Sequence, residues 1–161
     1  MPSPRFSAQP VDESFFDTAP FKLRGEFDIP QPSARVWADL TSEHPLGWCK
    51  ILKDVSWTSP APFGVGTTRT VQTVGSLSVL EEYYFRWEEG RRHSFYVLKA
   101  SAPMFRRLAE DYLVEPTSDT SCRFTWTIVA DPHPLARIAN PLNRMLLGTL
   151  FTDTRKYYGI S

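Results

Sequence analysis

Two glutamates stand where alternation calls for apolar side chains. In Leu77–Trp87 the odd positions, Leu77, Val79, Glu81, Tyr83, Phe85 and Trp87, form the more apolar face, and Glu81 interrupts it. In Leu108–Val114 the even positions, Leu108, Glu110, Tyr112 and Val114, do the same, with Glu110 as the interruption. An inward carboxylate is costly unless it is paired or reached by water. One reading pairs Glu81 or Glu110 with an arginine such as Arg69, or places it near a sheet edge. The other makes it a group that orients a ligand hydroxyl or acts as acid and base, its pKa raised by burial. Tyr83 and Tyr112 are either core or hydroxyl donors to a ligand oxygen. Phe124 and Trp126 face inward on the strand Cys122–Ala130, and Trp48, Phe85 and Phe95 complete an expected aromatic wall. No catalytic residue is assigned; Glu81 and Glu110 are the candidates.

Other chemistries lack their residues. His44 and His133 adjoin prolines, and the three histidines have no metal-ligand spacing, so no metal and no cofactor are expected. Arg91-Arg92-His93 beside a turn reads as a solvated basic cluster. Gly64-Val-Gly66 has Arg69 where a dinucleotide loop needs its third glycine, so it reads as a turn between strands. There is no phosphate-binding loop and no G-x-S-x-G elbow. Cys49 and Cys122 are the only cysteines and suit two reduced thiols. Eighteen Lys and Arg balance eighteen Asp and Glu, which argues against a nucleic-acid partner. No stretch is long and apolar enough to span a bilayer, and Met1–Pro20 has no secretory pattern, so a cytoplasmic protein is expected.

The elements that must position these groups follow from periodicity. The 161 residues suit one domain, taken as 20–161, preceded by a flexible or loosely docked arm, 1–19, that Phe15 and Phe16 could pin. Phe21–Ile29 alternates as a half-buried strand. Pro32 opens a short helix with Val36, Trp37 and Leu40 on one face, and a second helical piece is expected at Pro45–Trp48. Ile51–Thr58, Thr67–Val74, Leu77–Glu88, Arg91–Ala100, Arg106–Glu115 and Cys122–Ala130 are strand candidates joined by short turns. With Phe21–Ile29 the sheet has six to seven strands, in an antiparallel meander. Leu135, Ile138, Leu142, Met145, Leu146 and Leu150 recur at three and four, giving a long helix to about Tyr158 with a kink or break near Asn140 at Pro141. That helix is the only element long enough to cover the sheet. Leu142, Met145 and Leu146 are its expected pocket residues.

Phe27-Asp-Ile-Pro, Pro32–Leu40, Gly64-Val-Gly66-Thr, Asp111–Pro116, Cys122–Trp126 and the closing helix together resemble the START-like, or SRPBCC, superfamily of helix-grip proteins. The likeness is greatest to its polyketide cyclase/dehydrase and lipid-transport group and spans about residues 21–158. It implies an α+β helix-grip fold, a curved sheet wrapped around the C-terminal helix, with a deep cavity for a lipid, sterol or polyketide-like molecule. A carrier or sensor of a small hydrophobic molecule is the leading expectation. The alternatives are a cofactor-independent cyclase or dehydratase using the cavity carboxylates and tyrosines, and a protein-interaction module docking through Arg91–His93 and Arg106-Arg107. A homodimer is compatible with all three.

Overall fold

The computed structural model describes residues 3–76 and 78–161, with the side chains of 76, 137–140 and 142 left undescribed. Leu77, expected to open a strand, therefore lies outside the described residues, as do the side chains of Ile138 and Leu142 on the expected helix face.

Among the described residues eight strands form one antiparallel sheet: β1 Phe6–Ser7, β2 Phe21–Ile29, β3 Leu52–Trp57, β4 Thr68–Thr73, β5 Val79–Glu88, β6 Arg92–Ala100, β7 Phe105–Ser118 and β8 Ser121–Pro132. The seven longer ones run in the order β2-β8-β7-β6-β5-β4-β3, so the first is hydrogen-bonded to the last and the rest are a meander. Tight turns make the meander. At the β5–β6 hairpin Gly90 takes φ 80°, a conformation that costs a residue without Cβ nothing. The β2–β8 pairing runs unbroken from Phe21↔Ala130 to Ile29↔Cys122.

The helices are α1 Phe15–Thr18, α2 Ser33–Leu40 and α3 Asn140–Tyr158. The expected break at Pro141 is real: Pro134–Ala139 is 3-10 and the α-helix begins at Asn140, where a proline in the first turn loses no hydrogen bond. The second short helix is absent. Pro45–Trp48 forms a turn, and Leu46, at φ 60° and buried, directs the chain under the sheet instead of continuing a helix.

The concave face carries the main core: Phe27, Ile29, Val36, Trp37, Leu40, Tyr84, Phe95, Tyr112, Phe124, Trp126 and Ile128, with Leu150, Phe151 and Tyr158 from α3. Gly25 permits this closeness, since a Cβ there would stand 3.0 Å from the Phe151 ring. The outer face is covered too. Phe15 is buried against Ala109 and Val129, with Phe16 and Tyr96 around them. The segment expected as an arm thus lies against the sheet through both phenylalanines.

Candidate functional site

The C-terminal half of α3 is fastened and its N-terminal half spans a void. Asp153 Oδ2 accepts the Lys50 backbone N–H at 2.9 Å, Thr154 Oγ1 accepts Trp48 Nε1–H at 3.0 Å, and Tyr158 donates its hydroxyl to Asp39 Oδ2 at 3.0 Å. Toward the other end, Asn143, Leu146 and Leu147 roof a cavity of ≈ 390 Å³. Its walls are Val71, Leu80, Leu108, Ala130 and Leu150, with Leu46, Ile51 and Leu52 from the segment leading into β3, and Met104, Phe105 and Pro132 toward the strand ends. Such a volume and such a mostly apolar lining suit a small organic molecule.

The ionisable and indole groups of this cavity come from four strands, with β6 between the two pairs: Arg69 on β4, Glu82 on β5, Glu110 and Tyr112 on β7, and Trp126 on β8; Thr73, Ser78 and Asn143 are its other polar lining residues. Arg69 is 1% exposed and donates from Nε to Glu82 Oε2 at 2.6 Å. Its guanidinium also lies 4.7 Å from the Phe95 ring centroid and 5.5 Å from those of Trp57 and Tyr84. Burial alone would favour neutral Arg69; the Glu82 carboxylate more than reverses this and keeps it charged. Glu110 is held differently. Its Oε2 accepts two bonds, from Trp126 Nε1–H at 2.8 Å and from the Tyr112 hydroxyl at 3.1 Å. Oε1 has no partner among the described residues, and the side chain borders the cavity. Burial, then the neighbouring Glu82, push its pKa up to about 7, against the two donors and Arg69. A carboxyl group that is half protonated near neutrality can donate or accept from the same oxygen.

Of the residues expected at the pocket, Arg69, Glu110, Tyr112, Trp126 and Leu146 line the cavity. Phe95 and Phe124 are fully buried behind its wall. Six residues depart from expectation. Glu81, Tyr83 and Phe85 belong to the other face of β5, and Glu82 and Leu80 take the inward places, because β5 pairs Arg69↔Glu82 and Val71↔Leu80. The odd face reads as apolar because Phe16 and Tyr96 cover it: Tyr83 stacks near Tyr96 and Phe85 near both. A register shift between Tyr84 and Arg86, with Phe85 the extra residue on β5, then breaks the parity, so that Trp87 returns to the inner core. Trp48 stacks on Tyr157 at 4.2 Å and anchors α3 rather than lining the void. Met145 is 62% exposed. The side chain of Leu142 lies outside the described residues. His93, finally, is no solvated base. It is completely buried between Trp37, Trp87, Tyr84 and Tyr112, while Arg92 forms a two-bond pair with Asp111 and Arg91 pairs with Glu88.

Sequence reasoning missed Glu82, although the signal was there: an arginine on one strand needs a carboxylate on the next, and Glu81 and Glu82 were equally near. Among the described residues no three His, Cys, Asp or Glu side chains are grouped as a metal site, and no helix is long and apolar enough to cross a membrane.

Comparison with known proteins agrees with this geometry. The sequence family described as polyketide cyclase / dehydrase and lipid transport matches residues 20–156. Uncharacterised proteins of Mycobacterium tuberculosis and Mycobacterium bovis are 33% identical over 159 residues, covering 94% of this chain and 93% of theirs. Among solved structures, a Thermus thermophilus protein superimposes with TM-score 0.66 at 17% identity, over 84% of this chain and 95% of that one. The major latex-like protein 151 of Panax ginseng gives 0.61 at 12% identity, over 86% and 97%. At these identities the structures speak for the helix-grip fold alone.

Proposed function

The chain belongs to the polyketide cyclase / dehydrase and lipid transport family, and on that premise we propose that it binds one lipid-, sterol- or polyketide-like molecule between sheet and α3, as a carrier or sensor. The family supports a hydrophobic ligand-binding role. The observation that carries the finer reading is the ≈ 390 Å³ apolar cavity with its few convergent polar groups on one side. Filling that space should abolish binding. A Leu108→Trp variant that keeps the wild-type circular dichroism is titrated with an apolar, environment-sensitive dye beside the wild type. Loss of dye binding in the variant is the expected result. Equal binding by both proteins places the site elsewhere and ends this reading.

One observation favours a second reading, a cofactor-independent cyclase or dehydratase. Burial pushes the pKa of Glu110 up to about 7, and Tyr112 holds its carboxyl in place by a hydrogen bond, which suits proton transfer to and from a bound substrate. On that reading Glu110→Gln abolishes turnover of a cyclising or dehydrating substrate and leaves its binding within about two-fold. Unchanged turnover removes Glu110 from any such mechanism.

A further inference from the structure

The ionisable side chains around the cavity do not balance. Among the described lining residues one cation, Arg69, faces two carboxylates, Glu82 and Glu110. Arg69 is charge-matched by Glu82, to which its Nε donates at 2.6 Å, and is packed over three aromatic rings; its buried Nη1 keeps a donor free among the described residues but adds no further charge. Glu110 has neutral hydrogen-bond donors on Oε2 and none on Oε1. Among the described lining residues there is no second cation; Arg144 of α3 lies over the Phe21 ring rather than in the lining. On β6, His93 is buried and held neutral, its pKa lowered to about 3 by burial and then by Arg69. In the turn before β3, the Cys49 thiol is pushed up to about 12, chiefly by burial. From β5 and β7, Tyr84 and Tyr112 are raised by burial and stay protonated. From α3, the polar residue at the cavity is the neutral Asn143, and Asp153 is bonded to the Lys50 backbone.

We propose that the cavity takes a small apolar molecule bearing one protonated amine, whose ammonium group pairs with Oε1 of Glu110 while its hydrocarbon lies between Leu80, Leu108, Leu146 and Leu150. The inference rests on the cavity being a ligand site and adds the chemical class of the ligand. An ammonium ion completes the missing charge, and a charge-assisted bond away from water is stronger than one between neutral groups. A carboxylate ligand would bring a third anion against one cation. A neutral alcohol would leave the imbalance to be met by a proton on Glu110.

Three ligands with the same tail separate these cases: decylamine, decanol and decanoate, titrated calorimetrically into the full-length protein. At about pH 8 decylamine binds about tenfold tighter than decanol, and decanoate binds weaker than both. Decylamine affinity falls about tenfold for each pH unit below about 7, because Glu110 must give up its proton to form the pair, whereas decanol affinity changes little. Glu110→Gln keeps an oxygen acceptor for Tyr112 and Trp126, so the fold is retained. In it the preference of decylamine over decanol disappears. If decanol binds the wild type and decylamine binds no tighter, or if the preference survives in Glu110→Gln, the amine assignment is wrong and the cavity reading stands. If none of the three binds, both fall together.

Discussion

His93 sits in the aromatic core with nothing to bond to. Its exposure is 0%, and neither ring nitrogen has a hydrogen-bond partner among the described residues. Four aromatic rings enclose it at centroid distances of 4.8–5.1 Å, the indole of Trp87 nearly parallel to it. Leaving two polar atoms unpaired in such a place is unfavourable by about 1–3 kcal/mol per group. It also makes the protein acid-sensitive in a defined direction. The folded-state pKa of about 3 lies below the ordinary 6.5, so the unfolded chain takes up the proton first. The contribution of neutral His93 is therefore complete above about pH 6.5 and is lost progressively as the pH falls toward 3. His93→Phe keeps a ring in the box and has no proton to gain. Between about pH 7 and about pH 5 the wild type should lose about 2 kcal/mol of stability relative to that variant, read as the difference between urea unfolding curves at each pH. Parallel pH dependences in the two proteins would mean that the imidazole reaches water or a partner.

Among the elements, α3 has two halves with different tasks. Leu150, Phe151, Thr154 and Tyr158 fix the second half to the sheet and to the turn preceding β3, whereas Asn143, Leu146 and Leu147 of the first half border the cavity. Trp48 joins the first of these tasks through its stacking on Tyr157 and its bond to Thr154. Trp48→Ala should destabilise the protein by roughly 2–3 kcal/mol and speed hydrogen exchange over Phe151–Tyr158, with ligand affinity unchanged after correction for the unfolded fraction. A drop in affinity with stability intact would return Trp48 to the pocket. Such a role could not be read from the sequence, where an aromatic beside a turn has no visible partner. Strands were legible because their periods are local: the inward residues Leu108, Glu110, Tyr112 and Val114 on β7, and Phe124, Trp126 and Ile128 on β8, follow alternation without a break. Alternation failed on β5 for two non-local reasons, a second apolar covering on the outer face and a register shift at Phe85 against β6. The site inherits that division. Glu110 and Tyr112 could be placed on the inner face from sequence; the choice of Glu82 over Glu81 required the β4–β5 register.

At the scale of the whole molecule, the β6–β7 ladder is split beside the cavity, and the N-terminal segment fills the split. β6 pairs with β7 from Arg92↔Leu113 to Tyr96↔Ala109, and beyond Tyr96 that ladder stops. There the Arg5 N–H donates to the Ala100 carbonyl at 3.1 Å, the Ala8 N–H to Leu98 at 2.8 Å, and the Gln9 N–H to Arg106 at 2.9 Å. One short segment thus bonds to β6 on one side and β7 on the other. Phe105 and Leu108, on the β7 side of this gap, are cavity lining. Unpaired backbone groups in the middle of a sheet are costly, so β1 stabilises the wall by occupying it. It is held by few hydrogen bonds and a half-exposed Phe6, which makes it the part of the wall that opens at least cost. Removing residues 1–9 should therefore leave α1 and the outer Phe15 cluster in place and loosen this gap alone. The expected result is faster hydrogen exchange in Val97–Ala100 and Phe105–Leu108, with exchange in β2 and β8 unchanged, and a ligand dissociation rate about tenfold higher in stopped-flow displacement. An unaltered dissociation rate in the shortened chain would show that the ligand leaves under the first half of α3 instead.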